Sequence, residues 1–426
     1  MNNKFIKSTL ILIIGGFITK IFGFIIKILY TREIGPEGVS LYSLIIPSYS
    51  LIITIATLAL PMAISKLVAE NKHDNKKILS SAFVLIMIVD IILILIILTT
   101  KNIISTKLLN EPRIENLFIA IAITIPFISI SNILKGYFFG KQNMIPNTVS
   151  NILEQILRIV LIILFLPKLV AENLILAIAG LIILSVFSES LSIFVFLMFF
   201  PKDKKRKISL PNISMCKDIL KISIPSVSSR LIGNIGFFFE PILLTNILLF
   251  KGFSSNYIIT EYGAYNAYAI ATLTLPSFFI MAISSALIPE ISKYYSVGRI
   301  KFVKKRITQA LLMSLIIGGF FSIVILIFRN DLLNILYHTS NGSEYIKILA
   351  PFFVLFYLEG PLNSTLQAIN EAKVTLKIST IGVIIKLVSM AIFAYLKCGV
   401  LALVYAEIIN IFFVVIISFK EVHKKL

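Results

Sequence analysis

The chain has 426 residues, 58% of them hydrophobic and only 14% charged, with a mean hydropathy of +0.96. Soluble domains are about half apolar and about a quarter charged, so these proportions exclude an ordinary soluble fold. The formal net charge is +19, but in so apolar a chain the placement of basic residues sets membrane orientation, and the sum is no mark of nucleic-acid binding.

Lys4 and Lys7 precede an apolar run in the manner of a signal peptide. Lys20 and Lys27 interrupt that run and no small-residue cleavage site follows, so a retained first helix is expected. Apolar segments separated by charged turns predict twelve spans, at 8–30, 39–64, 79–100, 115–139, 145–166, 173–199, 218–249, 262–290, 306–328, 345–369, 374–396 and 399–419. Such segments must be helical, because an open sheet edge in lipid leaves backbone groups unsatisfied. Pro47, Pro126, Pro225, Pro241 and Pro276 fall inside them as kink positions. With the N-terminus in the cytoplasm, 26 of the 40 basic residues fall on the cytoplasmic side, nine in outer loops and five within spans, which predicts N-in and C-in. The basic segment 202–207 reads as a solvated connector that touches anionic headgroups.

A repeat is visible. Residues 18–23 (ITKIFG) match 228–233 (SSRLIG), Tyr42 matches Tyr268, ISK 64–66 matches ISK 291–293, and LRIV 157–160 matches IKLV 385–388. The matches run in order at a nearly constant offset, with one insertion in the 250–261 loop. They predict an N-terminal six-helix bundle over 1–200, a basic linker over 201–217 and a C-terminal six-helix bundle over 218–426. Two parallel repeats with a site between them are a known transporter plan.

Five cations sit inside spans: Lys20, Lys27, Arg158, Arg230 and Lys386. Facing lipid they would cost about 12–17 kcal/mol in all, so they are expected to line a cavity, find partners or snorkel. Gly16, Lys20, Gly23 and Lys27 share one helix face, as do Ser223, Ser226, Arg230 and Asn234. The repeat places Lys20 on Arg230 and Arg158 on Lys386. Glu154 and Arg158 stand four apart and are expected to pair, whereas Lys386 has Gly382 in the corresponding position and is expected to lack that partner. Asp90, Glu189, Glu240, Glu359 and Glu407 are candidate coupling-ion or charge-pair residues, with Glu154 beside them.

GYFFGK (136–141) has the wrong glycine spacing and Gln142 where a phosphate loop needs Ser or Thr; Gly136 and Gly140 remain as a GxxxG helix contact. His73, His338 and His423 are scattered, Cys216 and Cys398 are far apart, and no nucleophile–base set stands out, so neither a metal, a cofactor nor an enzyme is expected.

IGPEGVSLY (34–42), LPMAISKLVAE (60–70), KGYFFGKQNM (135–144) and LEQILRI (153–159) resemble the stage V sporulation protein B group of oligosaccharide flippases. That group lies in the superfamily of multidrug and oligosaccharidyl-lipid exporters, with the lipid II flippases. The resemblance implies an all-α membrane fold of two six-helix bundles around a central cavity, in the bacterial cytoplasmic membrane. It implies an undecaprenyl-pyrophosphate-linked saccharide as cargo, for spore cortex or cell wall. By the same resemblance Lys20 takes a position where lipid II flippases place a cavity arginine. The family often has two further spans after the twelfth, which are not among these residues. An organic-cation antiporter would need an acidic cavity instead, and a wall-assembly scaffold would have packed halves and no cavity.

Overall fold

The computed structural model describes residues 3–201 and 210–426, with side chains from Gly15 onward except at 229. The segment 202–207 and the side chains of Lys4 and Lys7 lie outside the described residues. Every regular element among the described residues is a helix. That is the form in which an apolar chain satisfies its own backbone without water.

α1 (Asn3–Thr57) is interrupted at Gly35, whose φ of 64° and ψ of −179° only glycine adopts cheaply, with Pro36 next in line. Leu58 and Ala59 then take positive φ (45° and 50°), at about 1–2 kcal/mol each, before α2 (Leu60–Glu70) begins with proline in its first turn. α3 (Asn75–Asn102) is capped by the Asp74 side chain, 3.0 Å from Lys76 N, and runs into a π-helical turn at Ile103–Leu108. After a 3-10 turn at Pro112–Ile114 come α4 (Leu117–Gly140), α5 (Ile145–Glu172) and α6 (Leu174–Met198).

α7 (Ile213–Phe250) is followed by α8 (Ser255–Gly263), a π-helical turn (Ala264–Ile270), α9 (Ala271–Leu273) and α10 (Ser277–Ser296). The stretch bends by 54° between Leu273 and Ser277, where Pro276 sits. α11 (Ile300–Ile327), α12 (Arg329–Tyr337), α13 (Ser343–Phe356), α14 (Glu359–Ala368), α15 (Ala372–Tyr395) and α16 (Leu401–Lys425) complete the chain.

Among the described residues ten helices are long and apolar enough to cross a bilayer, or eleven when the bent pair Ser255–Leu273 and Ser277–Ser296 is one span. The apolar runs of the sequence predict twelve. The difference lies in the 56-residue stretch Gly15–Glu70, over which two expected spans fall and inside which Gly35 breaks the helix.

The chain divides into two compact units, residues 1–38 with 45–234, and residues 39–44 with 235–426. In the first, Leu60, Ile64, Ile78, Ile86, Tyr137 and Phe196 pack into one core from α2, α3, α4 and α6. Gly136 and Gly140 set how closely α4 meets α2. A Cβ at Gly136 would lie 2.9 Å from Pro61 Cα, and one at Gly140 2.7 Å from the Ser65 carbonyl oxygen. In the second unit, Tyr262, Tyr265, Tyr268, Phe353 and Tyr357 are fully buried. Gly318 lets α11 lie against the Tyr357 ring, whose hydroxyl donates to the Leu273 carbonyl.

Candidate functional site

The face of α1 carrying Lys20 is open. Lys20 is exposed, and a Cβ at Gly16 or Gly23, one turn to either side, would meet no atom within 4 Å. Lys27, one turn beyond Gly23, is half-buried. The repeat-matched Arg230 on α7 is also exposed, and the matched Gly233 again has nothing within 4 Å of where a Cβ would be. Both sequence matches therefore set a cation beside empty volume. Neither Lys20 nor Arg230 has an ion-pair partner among the described residues. Two of the other polar side chains on this α7 face are engaged. Ser223 is buried, Ser226 donates to the Ile222 carbonyl at 2.7 Å, and Asn234 donates to Thr54 Oγ1 at 2.5 Å.

Lys386 is different: with Gly382 one turn back it lacks a partner on its own helix, as its spacing predicts, but other helices supply two. Its Nζ lies 2.7 Å from Glu240 Oε2 and 2.8 Å from Glu407 Oε2. The carboxylates come from α7 and α16 and the ammonium from α15, so the cluster ties three helices of the second unit. Glu240 is buried and its Oε1 has no partner. Fully ionised, two carboxylates and one ammonium sum to −1. The hydroxyls of Tyr262 and Tyr265 sit in the field of the same groups. Glu359, at the start of α14, feels Glu407 and leaves its own Oε1 unpartnered.

The first unit holds a second polar interior. Glu154 on α5 does not pair with Arg158 as its spacing predicts; it lies 3.6 Å from Lys135 Nζ on α4. Helical spacing brings residues four apart onto one face, but α4 supplies a competing cation. Arg158 is left with its Nε buried and without an acceptor. Glu189 on α6 is buried with Oε2 unpartnered, in the field of Lys135, Glu154 and Arg158. Ser192 links to Ser131 at 3.3 Å and to Ser150, joining α4, α5 and α6. Asp90 on α3 accepts from Ser129 at 3.0 Å, and its second oxygen has no partner.

Sequence reasoning missed Lys135 as a half-buried partner of Glu154, along with the serines and Asn147, whose side-chain nitrogen and oxygen are both buried and unpartnered. The signal was present on α6, where Ser185, Ser188, Glu189 and Ser192 recur at helical spacing within an apolar run.

The fold and its charges define a polytopic helical membrane protein of the two-repeat transporter type. The polysaccharide biosynthesis protein family matches residues 5–295, and the MatE family matches residues 241–392. Stage V sporulation protein B of Bacillus subtilis (strain 168) is 34% identical over 394 residues, covering 90% of this chain and 76% of that protein. Lipid II flippase MurJ of the same organism is 23% identical over 428 residues, covering 91% and 77%. The inward-facing structure of a multidrug resistance MATE family transporter of the MOP superfamily superposes with a TM-score of 0.77 at 16% identity, over 96% of this chain and 94% of that one. The chain belongs to the polysaccharide biosynthesis protein family.

Proposed function

We propose that the chain is a flippase that carries a lipid-linked saccharide precursor across the bacterial cytoplasmic membrane, with both termini in the cytoplasm. Its cargo on this reading is an undecaprenyl-pyrophosphate-linked saccharide of the cell wall or spore cortex. The observation that supports it most is the open, unpaired Lys20, flanked by Gly16 and Gly23 with no atom within 4 Å of either Cβ position. A pyrophosphate needs positive charge together with room for a bulky headgroup, and glycines beside a lysine supply both. Arg230 beside Gly233 repeats the arrangement, and Lys27 and Arg158 add further charge. The structural relative and the named lipid II flippase support transport by alternating exposure of a bound headgroup.

Lys20 and Arg230 attract the pyrophosphate through charge-assisted hydrogen bonds. Arg230 can grip two oxygens at once, whereas Lys20 acts as a point charge. An inside-negative potential favours outward movement of an anion by about 2.3 kcal/mol per charge per 100 mV, or about 4–5 kcal/mol for two charges. That bias drives net export without ATP.

Carriage of organic cations would need free acids. Glu240 and Glu407 are both engaged by Lys386, while Asp90, Glu189 and Glu359 each keep an unpartnered oxygen, so the transport assay separates the two readings. The test is translocation of a lipid-linked precursor by the purified chain in vesicles. Lys20→Ala and Arg230→Ala should each slow it at least tenfold, and undiminished flipping in both variants would remove the cationic mechanism.

A further inference from the structure

At one end of the second unit, a crevice of about 150 Å³ opens between the start of α11, the end of α16 and α14. Its lining is mostly apolar, with Ile307, Leu311, Leu362 and Phe419, and includes Lys304 and His423. Phe419 is half exposed, at 55%, so the lining is not sealed by the protein's own side chains.

The helix ends that border the crevice are basic. α11 has no acidic residue in its first turn, where the helix dipole favours one, and carries exposed Lys301, Lys304 and Lys305 instead. α16 ends in His423, Lys424 and Lys425. Two of the neighbouring cations are taken, Arg306 by Glu290 at 2.7 Å and Lys425 by Glu371 at 2.6 Å. Lys304 and His423 have no ion-pair partner among the described residues. Lysines at a positive helix end repel it, by about 0.3–1 kcal/mol each, unless an anion covers them.

We propose that this crevice binds one anionic phospholipid, its phosphate at Lys304 and His423 and its acyl chain along Ile307, Leu311, Leu362 and Phe419. An apolar slot bordered by an unpaired lysine and a histidine matches a molecule that is anionic at one end and hydrocarbon along the rest. α11 and α16 are themselves spans, so the bilayer presents that molecule at high local concentration. A free phosphate would leave the apolar lining wet, and a neutral lipid would leave the lysines uncompensated. The proposal does not depend on the cargo. Failure of the flipping test leaves it standing, and its own failure leaves the flippase reading untouched.

The chain contains no tryptophan, so Phe419→Trp places a single reporter in the slot, and Ile316→Trp places one on an exposed position of α11 away from it. The full chain is reconstituted in phosphatidylcholine nanodiscs that contain a minor fraction of either phosphatidylglycerol or phosphatidylcholine brominated on the acyl chain. Brominated phosphatidylglycerol should quench the reporter at 419 at about fivefold lower mole fraction than brominated phosphatidylcholine, the selectivity expected of about 1 kcal/mol from the charge of Lys304. The reporter at 316 should be quenched equally by both. Lys304→Gln with His423→Gln should abolish the preference at 419, while inorganic phosphate should not relieve the quenching. Equal quenching at 419 by the two lipids, a preference that survives the double substitution, or relief by inorganic phosphate would each overturn the proposal. A second readout avoids the reporter. Native mass spectrometry of the chain without added tryptophan should show one retained phosphatidylglycerol, lost in the Lys304→Gln, His423→Gln variant; retention unchanged by those substitutions also overturns it.

Discussion

Arg158 and Lys386 occupy matching positions in the two repeats, yet their surroundings differ in kind. Lys386 is held by two carboxylates at 2.7 and 2.8 Å, whereas Arg158 keeps a buried Nε with no acceptor while Glu154, one turn away, lies 3.6 Å from Lys135. Duplication preserved a cation at each position and let its neighbours diverge. A cation saturated by carboxylates has little attraction left for an anionic ligand and serves as a tie between helices. A cation with an unmade hydrogen bond in a poorly solvated setting carries an unspent interaction, stronger there than in water. The Lys386 cluster therefore reads as architecture, and the unpaired charge of Lys20, Arg230 and Arg158 falls in the first unit.

The largest test of that contrast is Lys386→Met. Removing the ammonium leaves two buried carboxylates face to face, and breaking a buried ion pair from one side costs about 3–5 kcal/mol. Thermal unfolding in detergent, followed by size exclusion, should show a steeper loss than either Glu407→Gln or Arg158→Gln produces. Adding Glu240→Gln and Glu407→Gln to it should restore most of the stability. If the neutral triple variant is as unstable as Lys386→Met, the carboxylates are not the cause and the comparison fails.

A smaller effect is expected from Glu407→Gln alone. It removes one charged hydrogen bond, ordinarily worth about 1.5–3 kcal/mol, but it also brings the cluster from −1 to neutral. The two effects oppose, so the loss should stay below about 1.5 kcal/mol and well short of Lys386→Met. A loss equal to that of Lys386→Met would mean that Lys386 requires both partners.

This difference between the repeats shows where the sequence is legible and where it is not. Apolar run lengths mark the spans because a helix must hold enough consecutive apolar residues to cross a bilayer, and that quantity is local. The GxxxG contact of Gly136 and Gly140 is legible for the same reason. The break at Gly35 is marked by a Gly-Pro pair, yet the helical dihedrals run on either side of it and the two expected spans fall in one continuous stretch. The repeat identifies Arg158 and Lys386 as equivalents. Their partners are hidden, because Glu240 and Glu407 reach Lys386 from other helices and Lys135 reaches Glu154 from α4. Spacing along one helix says which residues share a face but nothing about what the neighbouring helix presents to it. Lone acids and lone bases in different spans are the available clue, and counting them suggests pairs without saying which.

Arg158→Gln is the substitution with the smallest expected effect on stability and the most direct bearing on the contrast. The buried Nε already lacks an acceptor, so the native state carries that cost, about 1–3 kcal/mol for a buried polar group left unmade. Glutamine is shorter and neutral; it removes the unmade bond along with the charge, and Glu154 keeps Lys135. Thermal stability should therefore shift by less than about 1 kcal/mol, the size of an ordinary substitution away from a committed interaction. Precursor flipping should nevertheless fall several-fold, because the charge removed is one that no protein group had claimed. Arg158→Lys, which keeps the charge and loses the fork, should recover part of that rate. A variant that unfolds as readily as Lys386→Met would mean that Arg158 is bound by groups in the first unit as firmly as Lys386 is in the second, and the two repeats would no longer differ in the way their geometry states.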